Sequence, residues 1–539
     1  MQAYRKALAT GVAVLALVGA AGRAGAAGPS QTPAPQIVGQ NGHFALMVDG
    51  APFLMLGAQM NNSSAWPSML PKVWPVIDRI HANTLEAPIA WEQIEAKEGQ
   101  FDFSFLDTLL VQAREHHVRL VLLWFGTWKN NGPNYAPEWV KLDNARFPRV
   151  ITARGETRNS LSPLYPATLD ADRKAFVALM THLKAADPQH TVIMVQVENE
   201  TGVYGAVRDH SPAAEAAFKG AVPDPLIRAL GKTPGTWAEV FGADADEFFY
   251  AWAIAHFVDQ VAAAGKAVNP LPLYVNAALR DPAGYQDPLS FSSGGPTWDV
   301  LDIWKATASH IDVVAPDIYM RDDASYARTL DQYSRADNAL MAPETGNDQG
   351  FAHRFFEVIG HRALGFSPFG MDDTGYYNYP LGAAKLDEAT LESFAQNYAL
   401  VGPFARQLAA LSYAGKVWGA SEPSDTHVQQ ISLGDWQVSA AYGLPQFGSQ
   451  PPAGNPTPSG GFLVAELGPN EYLVTGYHVR LSFDLARPDG RKPLYARVEE
   501  GHYEHGQWVF DRLWNGDQTD YGLNFTSRPQ LLRVRLATY

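Results

Sequence analysis

One pattern constrains this chain more than any other. Between residues 43 and 405 a short apolar segment, a polar loop and an amphipathic helix follow one another eight times. The apolar segments are 53–58, 84–89, 119–125, 192–197, 272–277, 313–318, 339–342 and 363–369. The stretches between them carry helical spacing: Leu106, Leu109, Leu110 and Ala113 share one face, as do Phe176, Leu179, Met180 and Leu183. Strand alternating with helix implies parallel strands joined by right-handed crossovers. Eight such units predict a (β/α)8 TIM barrel carrying insertions, since an unembellished one takes about 250 residues. An open doubly wound sheet is the alternative. No G-x-G-x-x-G or P-loop follows the first strand, so its nucleotide-binding forms have no support.

After residue 410 the helical period fades into short β-rich segments at 429–433, 462–467, 472–477, 478–483 and 494–499. Turn signals such as Gly468-Pro469-Asn470 and Pro488-Asp489-Gly490 separate them, which predicts an all-β sandwich. The stretch 447–461, dense in Pro, Gly and Ser, reads as a long surface loop. We therefore expect a catalytic barrel over 43–408 and a C-terminal β-sandwich domain over 409–539. At the start, Arg5 and Lys6 precede the apolar run 7–21, and Ala24-Gly25-Ala26 offers a small-residue cleavage site. This is the layout of a secretory signal peptide over 1–26, predicting export to the periplasm or beyond, with 27–42 as a linker. The run is shorter than the roughly 20 apolar residues of a membrane span.

Composition removes several chemistries. The chain has no Cys, which excludes thiol catalysis, thiolate zinc sites, iron–sulfur clusters and disulfides. A net charge of -15 argues against a nucleic-acid partner. Neither H-E-x-x-H nor an EF-hand pattern occurs, Asp372 and Asp373 read as solvated loop acids, and no metal or cofactor is expected. Without G-x-S-x-G, a serine esterase is also unsupported.

In such barrels the reactive side chains stand at the C-terminal ends of the strands. Here the fourth ends in Glu198-Asn199-Glu200 and the seventh in Pro343-Glu344-Thr345-Gly346. The sixth ends in Asp317-Ile318-Tyr319 and the second in Trp91-Glu92, while the third delivers Trp124, Trp128, Asn130 and Asn131. Glutamates on strands four and seven face each other across the mouth. Such a pair suits retaining glycoside hydrolysis, where one carboxyl protonates the leaving oxygen and the other attacks the anomeric carbon from about 5–5.5 Å away. Trp91, Trp124 and Trp128 are candidate stacking platforms for a sugar ring, and Asn61, Asn62, Asn130 and Asn131 candidate hydroxyl readers.

These residues carry a resemblance. Gln196-Val197-Glu198-Asn199-Glu200 with Gly202 looks like the Asn-Glu acid/base motif of clan A glycoside hydrolases, in the form found in family 35 β-galactosidases. Trp91 and Glu95, with Gly99, Phe101, Asp102 and Phe103, resemble a signature shared by families 35 and 42. The segment 44–52 is similar to the opening hairpin of family 35, and 513–520 to the β domain of a bacterial branch. The resemblance implies Glu200 as acid/base, Glu344 as nucleophile, Asn199 on the sugar 2-OH and Tyr319 orienting Glu344. Two departures stand out: Gly126-Thr127-Trp128-Lys129-Asn130-Asn131 replaces the family's Ala-Glu-Trp segment, and Thr201 stands where Tyr is common. The expected function is a retaining exo-β-glycosidase, foremost a β-galactosidase acting on oligosaccharides or polysaccharide side chains. An endo-β-glycanase of the same clan and a non-catalytic carbohydrate-binding protein remain open.

Overall fold

Eight parallel strands close into a barrel in sequence order. They are Met55–Gln59, Thr84–Ala90, Arg119–Lys129, Val192–Asn199, Leu273–Ala278, Val313–Ile318, Ala342–Thr345 and Gly365–Pro368. The computed structural model describes residues 32–539, so the expected signal peptide lies outside the described residues. Among the latter, no helix is long and apolar enough to cross a membrane.

The expected periodicity places the chain correctly in most units. Leu106, Leu109, Leu110 and Ala113 are the buried face of the helix Ser104–Glu115. Phe176, Leu179, Met180 and Leu183 are likewise buried in Pro166–Ala186. The seventh strand departs: residues 339–341 only lead into it, and the paired segment is Ala342–Thr345. A register irregularity between Ala342 and Thr345 moves the pairing toward the mouth, so Glu344 stands within the strand rather than beyond it. The third strand runs four residues past its apolar core and carries Trp128 and Lys129.

The bottom of the barrel is sealed by an antiparallel sheet of Gln36–Gln40, His43–Val48 and Ala51–Phe53. Its Leu46 and Val48 pack with the interior residues Met55, Val121, Ile193 and Val313. Residues 36–40 are therefore a strand rather than linker, because pairing with His43–Val48 satisfies their backbone.

The C-terminal portion is all-β. A six-stranded sheet and a four-stranded sheet, Val428–Leu433, Trp436–Tyr442, Val479–Leu485 and Leu523–Phe525, enclose a core of Trp436, Val438, Phe462, Val474, Leu481 and Phe483. The helix Ala405–Tyr413 runs through the expected boundary at 408/409, and its Arg406 donates to the carbonyls of Val48, Ala51 and Pro52. Contact with the barrel is close. A Cβ on Gly360 would lie 2.3 Å from the Gly419 carbonyl oxygen, so both positions hold glycine for want of room.

Candidate active site

Three carboxyl groups converge at the mouth. Oxygens of Glu200, Asp317 and Glu344 all lie within 4.8 Å of one another. Glu344 is 5% exposed, and its carboxyl accepts from Tyr319 Oη at 2.6 Å and from Gln59 Nε2 at 3.3 Å. Burial and the neighbouring Glu200 charge push it up to about 7, against the pull of Lys129 and of those two donors. Tyr319 is itself pushed well above the ordinary phenol range by burial and by Glu344, so it stays a donor. Asp317 is driven well up by burial, Glu344 and Glu200. Its Oδ2 accepts from Asn276 Nδ2 at 2.6 Å, while Asn276 Oδ1 accepts from the Glu200 backbone at 2.9 Å. Asn276 thus ties the third acid to the backbone of the first.

The loop carrying Glu200 is held in an uncommon backbone. Glu198 and Glu200 both have positive φ, 63° and 45°, a region costing non-glycine residues on the order of 1–3 kcal/mol. Asn131 Nδ2 donates to the Glu200 carbonyl at 2.8 Å and to Ser292 Oγ at 2.5 Å, and Ser292 Oγ donates to the Thr201 carbonyl at 2.8 Å. Gly202, at φ +128°, has Ser292 Oγ 2.2 Å from where a Cβ would stand, so no side chain fits there. The two long insertions after the fourth and fifth strands are joined by a bridge between Val203 and Ser293.

Beneath this loop lies a second acid pair. Glu198 accepts from the Trp128 backbone at 2.7 Å, and burial together with Asp172 pushes its carboxyl well up. Asp172 accepts from Trp124 Nε1 at 2.9 Å, Thr127 N at 2.9 Å and Thr127 Oγ1 at 2.5 Å. A Cβ on Gly126 would come within 2.8 Å of an oxygen of each acid, so the strand passes directly over the pair. Glu198 therefore fixes the third strand's end.

The structure brings Glu200, Glu344, Tyr319 and Asn199 together at the mouth, where the sequence expected them. Asn199 is fully buried, and neither of its amide atoms has a partner among the described residues. Such an amide is ready for a ligand. Asn61 is also buried, and Asp372 fixes it through backbone and side chain at 2.7 and 2.9 Å, leaving its Oδ1 unpartnered among the described residues. Asp372 is accordingly a buried clamp and not a solvated loop acid.

Four expectations fail. Trp91, Trp124 and Trp128 are 0% exposed and present no face to a sugar. Trp91 donates to Glu95 at 2.7 Å and packs on Trp124 and Trp139, while Trp128 packs edge-on against Phe257. Their strand-end positions turn them outward, between strands and helices, where large rings fill space. Asn130 is exposed, and its amide oxygen takes the Lys129 ammonium instead of meeting the carboxyls. Sequence reasoning missed Gln59, Asn276, Lys129 and the catalytic-side placement of Asp317. Each is a polar residue inside or at the end of an apolar barrel strand, and that exception to the apolar pattern is the signal that could have found them.

Comparison with known proteins gives partial matches. Residues 66–241, which include Glu200 but not Glu344, match glycoside hydrolase family 42, described as Beta-galactosidase. This is not the family 35 of the resemblance, and the signature at 91–103, shared by both families, lies within the match. Residues 394–526 match a domain of unknown function, DUF5597. Among solved structures, the β-galactosidase of Bacillus circulans sp. alkalophilus has a TM-score of 0.50 at 14% identity, over 66% of this chain and 57% of that one. The β-galactosidase of the psychrophilic Marinomonas ef1 has a TM-score of 0.49 at 13% identity, over 66% and 61%. This chain thus spans about 57–61% of the length of those relatives, and at such identity the first likeness is one of fold. No curated protein matches the sequence.

Proposed function

We propose that this chain, a glycoside hydrolase by its matched family domain, is a retaining exo-β-galactosidase. The observation that carries the mechanism is the spacing of Glu200 and Glu344, whose carboxyl oxygens approach within 4.8 Å. Retention requires carboxyls close enough that no water fits between nucleophile and sugar. Glu344 attacks the anomeric carbon as the bond to the leaving oxygen breaks, and Glu200 gives that oxygen its proton. A water then passes a proton to Glu200 while its oxygen displaces Glu344, and the sugar leaves with its β configuration.

The electrostatics bear on both roles. Burial and the Glu200 charge push Glu344 up, while Tyr319 and Gln59 donate to its carboxylate. Moving a proton onto Glu200 removes that repulsion and leaves the two donors to stabilise the attacking carboxylate. Galactose is supported by the description of the matched family. Attack at a chain end is supported by the joined insertions over the mouth and the small exposure of Glu344. The reading extends to export, on the strength of Arg5, Lys6 and the apolar run after them.

The test is a panel of aryl β-glycosides with anomeric analysis by NMR. We expect β-galactoside to turn over fastest, with β product first. Glu344→Ala should lose all substrates and regain activity with azide, giving an α-azide. Glu200→Ala should still be glycosylated by substrates with good leaving groups. An α product from the wild type, or full activity in either variant, would end the proposal.

A further inference from the structure

The C-terminal β domain has a groove on the side of its four-stranded sheet that faces away from its core. Inward, this sheet contributes Trp436, Val438, Leu481 and Phe483 to the domain core. Outward, strand alternation sets polar and small side chains. The register aligns Gln430, Ser439 and Ser482 in one row across three strands, and Val428, Ala441 and Arg480 in the next. Gln430 Nε2 donates to Ser439 Oγ at 3.2 Å, and Gln437 Nε2 to Gln430 Oε1 at 3.2 Å, so the amides lie flat along the floor.

Ser449 and Pro451 of the 447–461 loop, with Tyr521, supply the walls of an open groove of about 570 Å³. That is within the roughly 300–1,000 Å³ of small-molecule sites. Arg480 builds one wall: it donates to the carbonyls of Gln446 at 2.5 Å and Gln450 at 2.9 Å, and to Asn524 Oδ1 at 2.7 Å. It is 7% exposed, and its guanidinium donors are committed to the loop and to Asn524. Among the described residues no other charged side chain lines the space. By contrast, the hollow lined by Glu471, Arg497, Glu499, Arg533 and Arg535 holds two ion pairs, Arg497–Glu499 and Arg533–Glu471. At the rim, Phe447 is 76% exposed and meets Tyr521 edge-on at 5.5 Å.

The lining chemistry selects its occupant. A phosphate or polyanion needs a free cation, and the lone arginine is already committed. A peptide helix needs a continuous apolar stripe, and here Val428, Ala441 and Pro451 are interrupted by Gln430, Ser439 and Ser482. Amides and hydroxyls around an aromatic edge fit the hydroxyl-rich rim and C–H face of uncharged sugars. We propose that this groove binds a stretch of neutral polysaccharide, at a site separate from the carboxyl cluster of the barrel. Its role is to hold the polymer whose ends the barrel attacks, and binding here does not depend on which sugar the barrel releases.

The experiment is native affinity electrophoresis of the full chain through gels containing galactan, galactomannan, hydroxyethylcellulose or polygalacturonate. It is repeated in a Glu344→Ala background, so that turnover cannot alter the polymer. We expect retardation by at least one neutral polymer and none by polygalacturonate. Tyr521→Ala and Ser439→Tyr, which remove the wall and fill the floor, should each abolish it. Both should keep aryl-glycoside hydrolysis within about twofold, the mark of an intact barrel. Ser439→Tyr also keeps the test decisive if loss of Tyr521 impairs folding. The proposal fails if no neutral polymer retards the chain, if both variants are retarded like the wild type, or if only polygalacturonate acts. It fails equally if sedimentation shows a dimer that Ser439→Tyr dissolves, which would make the face a contact between copies.

Discussion

Two buried glutamates, one in each half of the molecule, have opposite surroundings. Glu422 follows the first strand of the β domain and is 0% exposed. Its carboxyl accepts from Asn455 N, Asn455 Nδ2, Ser459 N and Gly460 N at 2.6–3.0 Å, with His427 Nδ1 at 2.8 Å. Burial pushes it up, but these donors outweigh burial and hold it below the ordinary range. Glu344 has two donors, faces two other acids and is pushed up to about 7. Two carboxyls with little solvent exposure thus end as a structural carboxylate in one place and a reactive one in the other. The difference lies in the donors the fold supplies, in deeper desolvation of Glu344 and in its acidic neighbours.

The sharpest way to break this contrast is to neutralise each acid. Glu344→Gln should lower kcat on the order of 10⁴-fold or more. It should also raise stability at pH 8. An acid whose native value is raised binds its proton more tightly when folded, so stability falls as pH climbs from the unfolded glutamate value to about 7. Removing the charge should recover roughly 1–3 kcal/mol, read as a higher melting temperature. A lower melting temperature at pH 8 would mean that Glu344 is stabilising in its ionised form.

Glu422→Ala should do the reverse, leaving kcat unchanged and costing about 3–5 kcal/mol in denaturant unfolding, because several buried N–H groups lose their acceptor. In the wild type this stabilisation is present above the unfolded glutamate value and is lost as pH falls through the lower native one. A loss of activity at full stability would overturn the structural role.

Next in size is Asn199→Ala, for which we expect about 10²-fold lower kcat/KM, chiefly in kcat, since a contact to the sugar 2-OH strengthens in the transition state. Unchanged kinetics would show that the unpartnered amide meets no substrate. The smallest effect is Lys129→Met. The ammonium lowers Glu344, so its removal should raise that value and move the acid limb of the kcat/KM profile up by roughly one pH unit. A limb that stays in place would separate Lys129 from the nucleophile.

Much of this was legible in the chain because it is local or periodic. The helix faces around Leu106 and Phe176 follow from spacing alone, and the acid at the end of the fourth strand is visible in Glu198-Asn199-Glu200. The failures share a cause. Trp91 and Trp128 were placed by their positions along a strand, but whether a side chain enters the mouth or the strand–helix layer depends on local twist and strand length. The apolar segment 339–342 precedes the paired strand Ala342–Thr345, because Pro343 and the irregular pairing there leave no clean alternation.

The sequence alone determined that eight strand–helix units would alternate, that a β-rich tail would follow and that acids would end the fourth and seventh strands. Those are properties of composition and period, carried within short windows. Only the closed barrel decided that Glu200, Asp317 and Glu344, up to 144 residues apart in the chain, would meet at one mouth with Asp317 and Glu344 buried. It also decided that Gln59 and Tyr319 would supply the donors there. Proton affinity belongs to that shared surrounding, because desolvation and Coulomb repulsion depend on distance in space and not on separation along the chain.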